Sequence, residues 1–167
     1  MKVNAPRDDL SREFVLSKLT YDPVTGEVRW VRPKGGTARP GALAGCSHLG
    51  YRRVKLGRYS YMMARVIWLM HYGEWPGEDK YVDHINLDRS DDRIVNLRLA
   101  DHYQNTRNAP SKHDGLKGAS FKAGRWRARI THNKKTHLLG VFDTEEEAHA
   151  AYAKAAMQMH GEFARTG

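Results

Sequence analysis

Between Asn108 and Gly118 the chain runs through Asn, Pro, Ser, Lys, Asp and Gly with almost no apolar anchor, a composition that marks a linker rather than a packed element. The 167 residues are thereby divided, and each part has room for only one modest core, because domains below about 100 residues are marginal on their own. The predicted organisation is a first module over 1–108, a linker over 109–117 and a second module over 118–167. A hydrophobic fraction of 40% beside a charged fraction of 28%, with Trp, Tyr and Leu throughout, argues against disorder as the overall state. No internal repeat or low-complexity segment is evident.

The formal net charge of +9 favours a polyanionic partner, since Lys and Arg that neutralise phosphates release condensed counterions. Nucleic acid is the first candidate. No stretch approaches the ~18 consecutive apolar residues of a spanning helix, and the polar N-terminus lacks a signal-peptide apolar region, so a membrane role drops out. The single cysteine, Cys46, has no partner in the chain for a disulfide or a multi-Cys zinc site. It is expected to be a small packed thiol in a reducing, cytoplasmic setting. Any metal here should have oxygen and imidazole ligands.

The local pattern alternates short elements. Leu10, Phe14, Val15 and Leu19 have the spacing of a helix with Ser11 or Asp9 as its N-cap. A turn over 21–26 precedes a strand over 27–31, and the Gly-, Pro- and Ala-rich run 32–49 reads as a loop. Tyr51 to Leu56 and Tyr59 to Tyr61 predict two strands about a turn at Gly57-Arg58, followed by a helix from Met62 to His71. In the second module three short strands, Ser120 to Lys122, Arg125 to Thr131 and His137 to Phe142, are separated by turns at Ala123-Gly124 and Asn133-Lys134. Thr144 and Glu147 form a capping box, after which Ala148, Ala151, Tyr152, Ala155 and Met159 repeat at helical spacing. The fold class expected is α+β: a small N-terminal β region and helix leading into a catalytic unit, then a separate three-stranded antiparallel sheet backed by one helix.

Chemistry concentrates between Tyr81 and Asn108. A short strand, Tyr81 to Ile85, carries Asp83 and His84, and a strand sets successive side chains on opposite faces unless it ends or twists there. Asn86 to Asp92 reads as the following loop and Asn96 to Leu99 as a returning strand. Asp101 can then cap a helix bearing Tyr103, Asn105 and Asn108, so that Asp83, His84 and Asn105 converge. Asp88, Asp91 and Asp92 read mostly as loop solvation, with one of them a candidate to support a group that touches the metal. His71, His102 and His113 read as solvated or partly packed.

His84, Asn96 twelve residues on and Asn105 nine further, within Tyr81-Val82-Asp83-His84-Ile85-Asn86, Arg93 to Arg98 and Gln104 to Asn108, resemble the His-Asn branch of the HNH, or ββα-metal, nucleases and in particular phage homing endonucleases. The resemblance implies His84 as the general base for an attacking water, Asp83 and Asn105 as ligands of one divalent metal ion, magnesium or manganese, and Asn96 as the catalytic unit's loop brace. It also implies hydrolysis of double-stranded DNA to 5′-phosphate and 3′-hydroxyl ends. Relatives commonly have His-Arg in the preceding helix where this chain has Ala64-Arg65, so a role for that His is absent, while Arg65 is left to touch a phosphate or support the fold.

Lys117 to Arg165 resembles the ethylene-response-factor, or Apetala, type of DNA-binding domain through Gly124 to Ile130, Leu139 to Thr144, Glu146 to Ala148, Ala151-Tyr152, Ala155-Ala156 and His160-Gly161. That resemblance implies a sheet laid in the DNA major groove. Period-two alternation agrees, placing Trp126, Ala128 and Ile130 toward the helix and Arg125, Arg127, Arg129 and Thr131 on the opposite face, with Lys122 beside them. Such a row can contact phosphates or bond guanine in bidentate fashion. Ser120 and Leu138 occupy two positions that family members use for base reading, so a sequence preference does not carry over. Arg29, Arg32, Lys34, Arg39, Arg52, Arg53, Lys55 and Arg58 offer further duplex contacts or ordinary surface charge. A monomer and a homodimer both remain open. So does an alternative class, a DNA-binding regulator whose HNH unit is only a scaffold, and behind it an RNA-binding or structural protein.

Overall fold

The computed structural model describes residues 10–32, 39–108, 115–132 and 134–164. Asp9 as an alternative cap, Lys34, His113, Asn133 and residues 109–114 of the expected linker lie outside the described residues. The described chain is α+β, with several small antiparallel sheets and four α-helices. Its contacts divide it into two compact units, Met1–His102 and Tyr103–Gly167.

In the first unit, helix α1 (Arg12–Lys18) begins at Ser11, whose hydroxyl oxygen accepts from the Phe14 amide at 3.1 Å. The predicted helix extends to Leu19, but Leu19 opens strand β1 (Leu19–Tyr21), which pairs antiparallel with β2 (Val28–Trp30) in the register Leu19↔Trp30 and Tyr21↔Val28. Leu19 is buried in this strand and fits a helical stripe equally well, so the long-range partner decides its conformation. At the hairpin tip Gly26 adopts φ +76° and lies so close to residues 92 and 93 that a Cβ there would stand 2.9 Å from the Arg93 nitrogen.

The run expected to be a loop contains β3 (Cys46–His48), paired with β4 (Tyr51–Leu56), which in turn pairs with β5 (Tyr59–Met62). All three β3 residues are exposed, so no alternation marks this edge strand. Cys46 is accordingly an exposed thiol, not a packed one. Helix α2 (Met63–Tyr72) ends at Gly73 and sinks Met63, Val66, Ile67, Leu69 and Met70 into a core with Val15, Leu19, Val28, Val54 and Leu56.

Strand β6 (Tyr81–His84) pairs antiparallel with β7 (Leu97–Ala100), matching Tyr81 with Ala100 and His84 with Leu97. Asn96 sits in a 3-10 turn, Ile94–Asn96, rather than in the returning strand. Helix α3 (His102–Asn108) follows, and the division between the two units falls after its first residue.

In the second unit β8 (Ala119–Lys122), β9 (Arg125–His132) and β10 (Lys135–Phe142) form an antiparallel sheet in the order β10-β9-β8. Helix α4 (Glu145–His160) packs on all three strands. The capping box is formed: Thr144 accepts from the Glu147 amide, and the Glu147 side chain accepts from the Thr144 amide. Ala148, Tyr152, Ala155 and Ala156 are buried, Tyr152, Ala155 and Ala156 in one cluster with Ile130, whereas Met159 is exposed. Gly118, at φ +83°, lies directly against the Tyr152 ring.

Candidate active site

The end of β6 presents Asp83 and His84 to different surroundings, as the alternation of a strand requires. Asp83 faces its cross-strand partner Arg98, whose Nε and Nη2 each approach Oδ2 at 3.1 Å. His84 turns inward, 4% exposed, and its Nε2 lies 3.0 Å from Oδ1 of Asp92, which is 2% exposed. Tyr51 flanks the imidazole with ring centroids 6.1 Å apart, and Arg89 lies over the outer side of that Tyr.

The loop between the strands closes on Asn96. Its Oδ1 accepts from the Asn86 amide at 2.9 Å, its Nδ2 donates to the Asp91 carbonyl at 2.8 Å, and its own carbonyl accepts from the Ile85 amide. One buried amide therefore ties both ends of the loop, and its position in a 3-10 turn aims it there. Across the loop Asn86 donates to Asp91 at 2.7 Å, and Arg93 grips the same carboxylate through Nε and Nη2. These bonds from Arg93 hold the Asp91 carboxyl well below the ordinary carboxylate range. Asp88 is lowered for a related reason, accepting from the Ser90 hydroxyl and amide. Asp88 and Asp91 are thus local loop fasteners, whereas Asp92 is a buried partner of His84.

Asp92 is fixed from three sides. The Tyr21 hydroxyl donates to its carbonyl at 3.2 Å and accepts from the Ile94 amide at 2.8 Å, while the Asp92 amide donates to the Ser90 carbonyl. Burial is the main cause that raises the Tyr21 phenol above its ordinary range. Nη1 of Arg52, on β4, stands 3.7 Å from Asp92 Oδ2 and also donates to the Gly26 carbonyl. Beside this point a cleft of about 410 Å³ is lined in part by Glu27, Leu43, Cys46, Arg52 and Ser90.

Arg65, left open between a phosphate contact and support of the fold, is buried. It donates to the carbonyls of Lys80, Pro76 and Gly77 and lies 5.0 Å from the Trp75 ring centroid. Burial pulls its guanidinium down to about 10. Its bonds to these carbonyls shape the entry into β6.

A family model described as HNH endonuclease matches residues 61–107. This segment carries an HNH endonuclease family domain. The chain is 27% identical over 151 residues to a protein of Acanthamoeba polyphaga mimivirus described as an uncharacterized HNH endonuclease, covering 90% of this chain and 73% of that one. It is 34% identical over 90 residues to Protein 3.8 of Escherichia phage T7, covering 51% of this chain and 74% of the phage protein. No solved structure matches it significantly.

The HNH segment contains Asp83, His84, Asn96 and Asn105, and the first unit gathers the first three around one loop. Asn105 is half-buried on α3 and belongs by its contacts to the second unit. Among the described residues no three His, Cys, Asp or Glu side chains form a cation cluster. A carboxylate and an amide oxygen, the donor types of Asp83 and Asn105, suit a hard divalent ion chemically, and the Asp83 carboxylate is engaged with Arg98. Two contributors, Tyr21 and Arg52, lie outside the HNH segment in the N-terminal strands, where residue spacing carries no signal of a partner some 40 to 70 positions away. Asp92 lies inside it, yet only its burial separates it from its acidic neighbours.

On the second unit Lys122, Arg125, Arg129 and Thr131 are exposed as the alternation predicts, but Arg127 is half-buried. It occupies the central strand between Ser120 and Val141, so its stem is covered from both sides. Its Nε is buried without a hydrogen-bond partner. Arg125 pairs with Asp143 at 2.6 Å, and the Thr131 and Thr136 hydroxyls lie 3.0 Å apart. Leu138 and Val141 add apolar surface to the same face.

Proposed function

We propose that the protein is a metal-dependent DNA endonuclease in which His84 acts as general base. The observation that carries this is the pairing of His84 with a buried carboxylate at the end of β6, beside a loop tied by Asn96. His84 takes a proton from water, the water oxygen bonds to phosphorus, and the bond from phosphorus to the 3′ oxygen breaks. The 3′ oxygen then takes a proton, leaving 5′-phosphate and 3′-hydroxyl ends. Asp83 and Asn105 would hold one magnesium or manganese ion, which supplies Lewis-acid stabilisation of charge on the phosphate when bound. The ββα-metal arrangement and the homing-endonuclease type are the finer forms of this reading, supported by the spacing of His84, Asn96 and Asn105.

The basic sheet face, with Lys122, Arg125, Arg129 and Thr131 outermost, is proposed to hold double-stranded DNA in the manner of ethylene-response-factor domains. One active unit per chain cuts one strand, so a double-strand break calls for a dimer or a second binding event. The test is cleavage of supercoiled plasmid and phage genomic DNA with magnesium or manganese. Wild type should cut and His84→Ala should not, while both shift DNA in a gel. Binding without cleavage by wild type on any DNA would favour the regulator reading.

A further inference from the structure

Asp92, which is not one of the four motif residues, forms a buried pair with His84. At 2% and 4% exposure, neither group reaches bulk water freely, and Oδ1 of Asp92 lies 3.0 Å from Nε2 of His84. A carboxylate only accepts, so Nε2 is the donor, and the lone pair of the neutral ring is left on Nδ1. Asp92 Oδ2 has no hydrogen-bond partner, and Nη1 of Arg52 at 3.7 Å is the positive charge that compensates it. Stability alone gives little reason for this arrangement, because apolar side chains of similar volume commonly stabilise a fold as well as a buried ionic pair does. The main chain of Asp92 is also held more firmly than a solvated loop needs. Tyr21 bridges its carbonyl and the Ile94 amide, and Gly26 presses against residues 92 and 93 from the first hairpin.

We infer that Asp92 is the positioning residue of the nuclease: it accepts the Nε2 proton of His84, fixes the ring so that Nδ1 is the basic nitrogen, and is itself seated by Arg52 and Tyr21. This rests on the reading of His84 as general base. In the reaction the water proton passes to Nδ1, the imidazolium so formed faces the Asp92 carboxylate, and Asp92 takes up no proton. Arg52 and Tyr21 thereby make the N-terminal strands part of the support of the active unit, although the family match begins only at residue 61.

The test uses the full-length protein, supercoiled plasmid and magnesium chloride. Asp92→Asn preserves shape but offers an amide that can donate to Nε2 and so favour the wrong tautomer. Its kcat should fall at least about tenfold, as for loss of an outer partner of a reacting group, with KM held within about twofold. In ¹⁵N-labelled wild type, imidazole multiple-bond correlations, assigned by the signal that disappears in His84→Ala, should show the proton of His84 on Nε2. The same spectrum of Asp92→Asn should show that tautomer depleted. A wild-type spectrum with the proton on Nδ1 overturns the inference even if Asp92→Asn fails to fold, and so does a folded Asp92→Asn with wild-type kcat. A wild type that cuts no DNA overturns the nuclease reading itself, whereas a cutting wild type with an equally active Asp92→Asn overturns only the role of Asp92.

Discussion

Asn96 does the work of a covalent staple with three hydrogen bonds, two from its side chain and one from its carbonyl. Asn96→Ala removes both side-chain partners from a buried site, and the orphaned Asn86 amide and Asp91 carbonyl should destabilise the protein by about 1–3 kcal/mol in urea unfolding, with cleavage reduced as well. Asp91 gives a second outcome at this scale. Its folded carboxyl is held low by Arg93, so its contribution is complete above the ordinary aspartate value near pH 4 and fades as pH falls through the lowered one. Asp91→Asn should therefore lower the melting temperature at pH 7, and the gap from wild type should narrow on acidification below about pH 4. A bracing role for Asn96 was an expectation from the resemblance of the motif, and the bonds its side chain makes across the loop appear only in the fold. Asp92 was not legible, since two adjacent aspartates look alike until one is seen 2% exposed and the other bonded to a half-exposed Arg.

At the level of elements, the strands and helices with a complete local pattern were legible: β4 and β5 about their turn, α2 with its buried stripe, and α4 with its capping box. Strands β1 and β3 were not, because three residues cannot show a period and their conformation is set by partners across the sheet. The formed cap makes a direct prediction: Thr144→Ala should cost about 1 kcal/mol of second-unit stability, read as an earlier thermal transition. A larger loss is expected from Gly118→Ala. The added methyl meets the Tyr152 ring and the residue has φ +83°, so strand β8 must shift off α4, at about 2 kcal/mol or more by overpacking and strain together.

For the whole molecule, composition alone places a boundary at 109–117, whereas the contacts part the chain earlier, within α3. The proposed general base lies at the end of β6 and the proposed gripping residues on the β8–β10 sheet, and this separates their mutational signatures. Arg125→Ala with Arg129→Ala should weaken DNA binding and flatten the salt dependence of the logarithm of affinity by about two, one for each phosphate that the sheet no longer neutralises, while kcat at saturating DNA stays at the wild-type level. Affinity measured from low to moderate salt checks it; an unchanged slope would place the DNA elsewhere. The exposure of Cys46 has a practical consequence. As the sole thiol of the chain, on the rim of the cleft that Arg52 and Ser90 also line, it accepts a maleimide dye without any engineered cysteine. A fluorophore there would label the first unit alone, and a change in its signal on adding a duplex would report events at that unit, separable in time from the appearance of cut ends.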